Sequence, residues 1–87
     1  MSTMFNLVGF FARHTRDKDG RVTKHPQVAI TLVPGIPVET VTKHSQDQWE
    51  HFADVHAAQH AKYTPYEKKW MVDWQLVEVQ SNEVQAA

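Results

Sequence analysis

The segment formed by residues 4–13 is apolar on both of the faces that a β-strand would present. Alternate residues of a strand point to opposite sides of its sheet. One side would carry Phe5, Leu7, Gly9 and Phe11, and the other would carry Met4, Val8, Phe10 and Ala12. The chain has a single long helix-forming segment, which can cover one face of a small sheet and leaves the other face bare.

A large bare apolar face marks an interface in soluble proteins. We therefore expect this face to bind a protein partner, and a homodimer is the simplest version because symmetric pairs are the commonest assembly. The alternative is that loops, the C-terminal tail or residues 63–68 fold over the second face.

The chain has 87 residues, a length that favours one domain with one hydrophobic core. We predict that residues 1–80 form this domain and that residues 81–87 are a frayed tail. The absence of cysteine excludes disulfides and thiolate chemistry, so a cytoplasmic location is expected. The apolar run of residues 4–12 is too short for a signal peptide or a membrane span, and no membrane partner is expected.

The first hairpin is predicted from turn chemistry. Residues 15–20 are rich in turn formers, and a return strand over residues 21–33 should follow them. Pro26 lacks a backbone donor, which places it on an edge strand or at a bulge. Pro34 and Gly35 fit the central positions of a type II turn, with a third short strand at Val38–Thr42 after it.

One helix and a last strand complete the predicted fold. Ser45 is a candidate N-cap and Gln48 its capping-box partner, while Pro65 cannot continue a helix, so the helix should end near Lys62. Residues 69–80 form the last strand. The predicted class is α+β, a small and mostly antiparallel sheet of three to four strands in the order β-β-(β)-α-β, with one helix packed on one face.

The net charge is −1, but the charge is unevenly distributed. Residues 1–43 hold six Lys and Arg against three acids, and residues 44–87 hold three against seven. The first hairpin is a basic arm whose cations are Arg13, Arg16, Lys18, Arg21 and Lys24. A basic two-stranded ribbon can follow phosphates or enter a major groove, so nucleic-acid binding through residues 13–25 is an alternative function. The acidic second half would be repelled by a polyanion, and docking on an acidic protein surface is a third possibility.

Six histidines are a high number for this length. His56 and His60 are spaced i,i+4 on one helical stripe, which suits metal ligation, but structural zinc needs four ligands and catalytic zinc three. No glutamate lies between them, so the HEXXH motif is absent, and His44 or His25 would have to supply a third ligand. A metal site at His56 and His60 is one hypothesis. The alternatives are that these histidines pack beside aromatic residues, or that they change charge near neutral pH and so adjust the strength of an interface.

No catalytic motif is present. Gly9, Gly20 and Gly35 cannot be assembled into a phosphate loop or a dinucleotide fingerprint. Residues 15–26 resemble the interior of an EF-hand loop, but Pro26 stands where the bidentate glutamate belongs. We therefore expect a protein that is not an enzyme and uses no cofactor.

Trp49 is expected under the helix, whereas Trp70 and Trp74 share one face of the last strand with Val72 and Leu76. Trp70 and Trp74 join the basic arm as predicted partner-binding residues, because tryptophan is common among interface anchors. The leading hypothesis is a non-enzymatic interaction module. It would act as an oligomer or as a small inhibitor, adaptor or regulator on a larger protein, as a virus- or mobile-element-encoded antagonist does.

Overall fold

A computed structural model of the chain describes residues 3–80. It contains the strands β1 (Thr3–Arg16), β2 (Val22–Pro37), β3 (Lys62–Tyr63) and β4 (Glu67–Gln80), and the helices α1 (Val38–Thr42) and α2 (Gln46–Ala57). The strands form one antiparallel sheet in the order β2-β1-β4-β3. The predicted α+β class is confirmed, and the predicted tail lies outside the described residues. None of the helices within residues 3–80 has the length and apolar character needed to cross a bilayer.

The first hairpin forms as predicted, with β1 and β2 joined by residues 17–21. The carboxylate of Asp17 accepts hydrogen bonds from the backbone N–H groups of Asp19 and Arg21, each at 2.9 Å. Gly20 has a φ of 85°, which a residue without Cβ adopts at little cost. These local bonds stabilise the turn that brings the two strands back into register.

β2 is an edge strand with an irregular ladder. Pro26 and Gln27 together lie opposite the single residue Ala12, so Pro26 sits at a bulge on an edge, as its missing donor predicts. The type II turn predicted at Pro34 and Gly35 is wrong. Gly35 has the expected positive φ, 66°, but both residues form a further bulge opposite Asn6, and the strand continues to Pro37.

The third strand predicted at Val38–Thr42 is also wrong, because this segment forms the short helix α1. Glu39 lies in its first turn, where the helix dipole favours negative charge. Val41 packs against the hydrophobic core and its carbonyl accepts a hydrogen bond from the Trp49 indole at 3.1 Å. This tertiary contact with α2 outweighs the local preference of valine and threonine for extended backbone.

The helix α2 begins where the sequence predicts. The backbone N–H of Gln48 donates to the Ser45 hydroxyl at 3.2 Å, and the Gln48 amide oxygen accepts from the Ser45 backbone N–H at 2.8 Å. The helix ends at Ala57 instead of near Lys62, and a turn follows in which the N–H of His60 donates to the carbonyl of Ala57 at 2.9 Å. The turn lets the chain return to the sheet as β3, an element that was not predicted.

Both helices pack on one face of the sheet. The core joins Leu7 and Ile36 of the sheet to Trp49 and Ala53 of α2. The sequence did not indicate which face of β1 is covered. The fully buried side chains of Leu7 and Phe11 show that it is the face carrying Phe5, Leu7 and Phe11. This face of β1 is therefore the one that the hydrophobic effect drives against the helices.

A bulge at Val72 changes the phase of β4. Asp73 lies opposite Phe10 and Met71 lies opposite Phe11, so Val72 is the extra residue. After the bulge Trp74 and Leu76 point to the helix side, where they pack against the core. The predicted sharing of one face by Trp70, Val72, Trp74 and Leu76 is therefore wrong, because a bulge breaks strict alternation.

Candidate interaction surface of the sheet

The sheet face opposite the helices is here named the open face. The central strand β1 contributes Met4, Asn6, Val8, Phe10, Ala12 and His14. Its neighbours contribute Lys24, Ala29 and Thr31 from β2 and Lys68, Trp70, Asp73, Gln75, Val77 and Val79 from β4. The six β1 residues are only partly buried, whereas Leu7, Gly9 and Phe11 on the helix side are buried.

The middle of the open face is apolar. Val8, Phe10 and Ala12 follow one another along β1, and Trp70 lies directly opposite Ala12 on β4. Val77, further along β4, is 39% exposed. One central strand thus carries three adjacent half-exposed apolar side chains, which is the pattern of a patch and not of scattered surface residues.

A cationic row crosses the hairpin end of the same face. Lys24 of β2 lies opposite His14 of β1, which lies opposite Lys68 of β4, and Lys68 in turn lies opposite Tyr63 of β3. The two ion pairs found within residues 3–80 both involve Glu67, so neither lysine of the row is neutralised by an acid of the described chain. This end of the open face therefore presents positive charge to any partner.

An aromatic contact joins the cationic row to the apolar middle. The rings of His14 and Trp70 lie edge to face, with centroids 4.9 Å apart and an interplanar angle of 84°. Aromatic pairs prefer this geometry because the positive edge of one ring meets the negative face of the other. The contact fixes Trp70 on the open face beside the cations.

A recess lies at the outer end of the row, with a volume of about 380 Å³. His14, Arg16 and Lys68 line it on the strand side, and the turn before β4, including Tyr66, lines the other side. The backbone N–H of Arg16 donates to the Tyr66 carbonyl at 2.8 Å and holds this turn against β1. The recess has the charge and size to accept an anionic group such as a carboxylate.

Glu67 also borders this recess, but two cations hold its carboxylate. Arg13 donates to Oε2 and Lys62 to Oε1. The hydrogen bond from Arg13 is the main reason that the pKa of Glu67 is lowered, and Lys62 adds to the effect. Register puts Arg13 on the helix side of β1, so Arg13 is separated from the cations of the open face.

The structure divides the predicted partner-binding residues into three groups. Arg16 and Lys24 lie with Trp70 at the hairpin end of the open face. Lys18 and Arg21 are exposed in the hairpin loop beyond it. Trp74 packs against the core on the helix side, apart from Trp70. Arg13 also lies on the helix side, where it pairs with Glu67.

Lys68 and Tyr63 are residues of this surface that the sequence analysis did not identify. The predicted last strand began at residue 69, one position after Lys68, whereas β4 begins at Glu67. Extending the alternation of Trp70 back by one step would have placed Lys68 on the same face. Tyr63 gave no such signal, because a two-residue strand has no periodicity.

The histidines proposed as metal ligands are not assembled into a site. Only His56 lies in α2, and His60 follows in the turn, where its ring contacts Phe11 with centroids 5.9 Å apart. His44 contacts Trp49 and binds the carbonyl of Thr40 at 2.9 Å. Within residues 3–80 no cluster of three or more His, Asp or Glu has metal-binding geometry.

The fold and this surface define a small α+β protein with helices on one side of an antiparallel sheet and a mixed apolar and cationic surface on the other. No protein-family model, curated protein or solved structure matches the chain. The physical chemistry of the open face is therefore the basis for inferring function.

Proposed function

We propose that the protein is a non-enzymatic interaction module that binds a partner protein through the open face. The observation that supports this most directly is the placement of both helices on the opposite side of the sheet. The apolar residues Val8, Phe10 and Ala12 then remain available for burial against another molecule. Burying such a patch is the main favourable term in most protein associations.

The charge of the open face indicates the chemistry of the partner. Lys24, Lys68 and Arg16 flank one end of the apolar middle. A partner with an apolar centre and carboxylates on one side would match both features, since complementary charge sets orientation and speeds association. Trp70 lies at the junction of the two zones and is the expected anchor, because buried tryptophan dominates many interfaces.

In this proposal the protein works in the cytoplasm as an inhibitor, adaptor or regulator that masks or recruits a site on a larger protein. A module of this kind needs a stable scaffold and one exposed surface, and no catalytic residue. The basic loop residues Lys18 and Arg21 would steer the encounter without being buried in it.

The test compares capture of partners by the wild-type protein and by two variants. Ala29→Asp places a charge at an exposed position of the open face, and the matched control Val28→Asp places one on the helix side, where Val28 is 46% exposed. A protein retained by the wild type and the control but lost with Ala29→Asp would be purified and titrated. Trp70→Ala should then weaken binding by about tenfold or more.

Equal loss of that protein with both variants, or equal retention by both, would refute binding through the open face. Circular dichroism of each variant verifies that the fold is unchanged.

A second candidate function is binding of single-stranded nucleic acid. The observation that favours it is the contact of His14 with Trp70 beside the cations Lys24 and Lys68. Bases stack on aromatic side chains while cations follow the phosphates. The aliphatic middle of the open face favours a protein partner, because bases do not require aliphatic surface.

Electrophoretic mobility with single-stranded DNA and RNA oligonucleotides at low salt tests this candidate. If it is correct, the Lys24→Ala/Lys68→Ala variant loses the shift and the affinity of the wild type falls steeply as salt rises. An unmodified protein that shifts neither oligonucleotide excludes it.

A further inference from the structure

The outer edge of β4 is open along most of its length. β3 pairs only with Lys68 and Lys69, so residues 70–80 have β1 on one side and no strand on the other within residues 3–80. A strand edge of this length exposes a row of backbone donors and acceptors that can pair with another strand.

The direction of the backbone groups can be deduced at Trp74. Its N–H donates to the side-chain carboxylate of Asp73 at 2.8 Å and therefore points away from the ladder with β1. Because N–H and C=O of one residue point the same way and alternate along a strand, the backbone groups of Leu76 and Glu78 also face outward. A partner strand would find three outward carbonyls and the outward N–H groups of Leu76 and Glu78. The N–H of Trp74 is held by Asp73 and would exchange that bond for a carbonyl of the partner.

The opposite edge of the sheet, on β2, is protected from such pairing. It contains Pro26, Pro34 and Pro37 and has bulges at residues 26–27, at Leu32 and at residues 34–35. Prolines and bulges are the usual means by which proteins prevent edge pairing. Residues 70–80 of β4 contain no proline or glycine and one bulge, at Val72. The two edges therefore differ in a way that leaves β4 able to pair.

We propose that the β4 edge pairs antiparallel with the β4 edge of a second copy of this chain. In an antiparallel ladder, two residues directly opposite each other have their side chains on the same face of the sheet. For a two-fold axis normal to the sheet, this is possible only if one residue lies directly opposite its own copy, at the axis. Residue 75 is the midpoint of the open edge 70–80. An axis through Gln75 sets the apolar side chains of Trp74 and Leu76 opposite each other on both sides of the axis, whereas an axis through Leu76 would set Trp74 opposite the partner's Glu78.

This register is compatible with the side chains. Trp74 lies opposite the partner's Leu76, and Asp73 lies opposite the partner's Val77. No two like charges meet, whereas an axis through Asp73 or Glu78 would place carboxylates directly opposite one another, which is unfavourable. The sequence of β4 is thus self-complementary around Gln75.

A groove of about 450 Å³ follows the same edge on the helix side. Val41, His44 and Trp49 line one wall, and Trp74 and Leu76 line the other. The groove leaves room beside β4 for the side chains of an added strand.

A two-fold axis normal to the sheet keeps equivalent faces on the same side. The dimer would have one continuous sheet in which six strands lie side by side, β2-β1-β4 of one copy and β4-β1-β2 of the other, with a short β3 at each end of the central pair. Both open faces would lie on one side and the helices on the other. This inference is independent of the proposed function, because the pairing uses backbone groups of β4 and leaves the open face free.

Cysteine cross-linking tests the register, since the chain has no cysteine of its own. In the proposed dimer the two Gln75 Cα atoms form a non-hydrogen-bonded pair about 4.5 Å apart, within disulfide range. The two Val77 Cα atoms lie on neighbouring strands and four residues out of register, roughly 14 Å apart, and cannot be bridged. We expect the Gln75→Cys variant to give a covalent dimer on mild oxidation and the matched Val77→Cys variant to remain uncoupled.

Sedimentation equilibrium supplies the second readout. The wild-type chain should show twice the 10.0 kDa chain mass at high concentration. Gln75→Lys, which sets two ammonium groups opposite each other at an exposed position, should weaken the association at least tenfold. Ala29→Glu, an exposed open-face change away from β4, should leave the association unchanged.

Three results would overturn the inference. They are a monomer at every concentration, cross-linking of Val77→Cys as readily as Gln75→Cys, and dissociation caused by Ala29→Glu but not by Gln75→Lys. The last result would mean that copies associate through the open face, and it would leave the proposed interaction surface in place.

Discussion

Nε of Arg13 donates a hydrogen bond to Oε2 of Glu67, and the two residues are 54 positions apart in sequence. The contact ties the first hairpin to the beginning of β4 and removes Arg13 from the cations available to a partner. Lys62 reaches the other carboxylate oxygen from β3, so one acid connects three strands.

This arrangement predicts a pH dependence of stability. The pKa of Glu67 is lower in the folded protein than its ordinary value of 4.5, mainly because Arg13 donates to the ionised form. An acid whose pKa is lowered by folding stabilises the folded protein at pH values above the pKa of the unfolded chain. This stabilisation is lost as the pH falls through the pKa of the folded protein. Thermal unfolding between pH 7 and pH 3 should show a smaller decrease in Tm for Glu67→Gln than for the wild type.

Arg13→Ala serves as the control for this effect. If the contact is responsible, Glu67→Gln should cost less stability in the Arg13→Ala background than in the wild type, because the two residues are coupled. Additive changes would contradict the assigned cause of the pKa shift.

The hairpin and the α2 N-terminus were predictable because their signals are local. Asp17 and Ser45 form hydrogen bonds with residues at most four positions away, as their sequence contexts indicate. Gly20 adopts the positive φ that the turn requires. The class of fold followed from the same elements.

The parts that could not be predicted depend on contacts between distant residues. Val38–Thr42 becomes helical where Val41 meets Trp49, and the phase of β4 changes at a bulge set by its pairing with Phe10 and Phe11. That bulge separates Trp70 from Trp74, so sequence alternation alone could not place both on the correct faces. The cationic row is likewise assembled only when Lys24 and Lys68 meet across β1.

The N-cap of α2 predicts a measurable loss of stability. Ser45→Ala removes the hydroxyl that accepts from the Gln48 N–H and should reduce the free energy of unfolding by about 1 kcal/mol. Ser45→Asn restores an acceptor and should recover most of this loss in urea denaturation. Equal destabilisation by alanine and asparagine would show that the cap bond contributes little.

Leu7 predicts a larger effect because its side chain is fully buried. Leu7→Ala should reduce the unfolding free energy by about 2–5 kcal/mol, through lost burial and the cavity left under α2. Val22, which is 46% exposed, is the control, and Val22→Ala should change stability by about 0.5 kcal/mol or less. Similar effects at both positions would argue against Leu7 as the centre of the core.

Gly9 lies in the buried face of β1, where an added methyl group would collide with its neighbours. A Cβ at this position would lie 2.9 Å from Cε1 of Phe11 and 3.0 Å from Sδ of Met71. The Phe11 ring is fully buried, so Gly9→Ala should cost about 1–3 kcal/mol through overpacking.

Gly35→Ala is the informative comparison for Gly9→Ala. Nothing lies within 4 Å of a Cβ at Gly35, but its φ of 66° is strained for alanine. Gly35→Ala should therefore reduce the free energy of unfolding by about 1–2 kcal/mol, through backbone strain and not through packing. Met71→Ala should relieve the Gly9→Ala variant by opening space and should leave the cost of Gly35→Ala unchanged. If Met71→Ala rescues neither variant, the packing explanation for Gly9 is wrong, and double-mutant unfolding curves in urea decide the question.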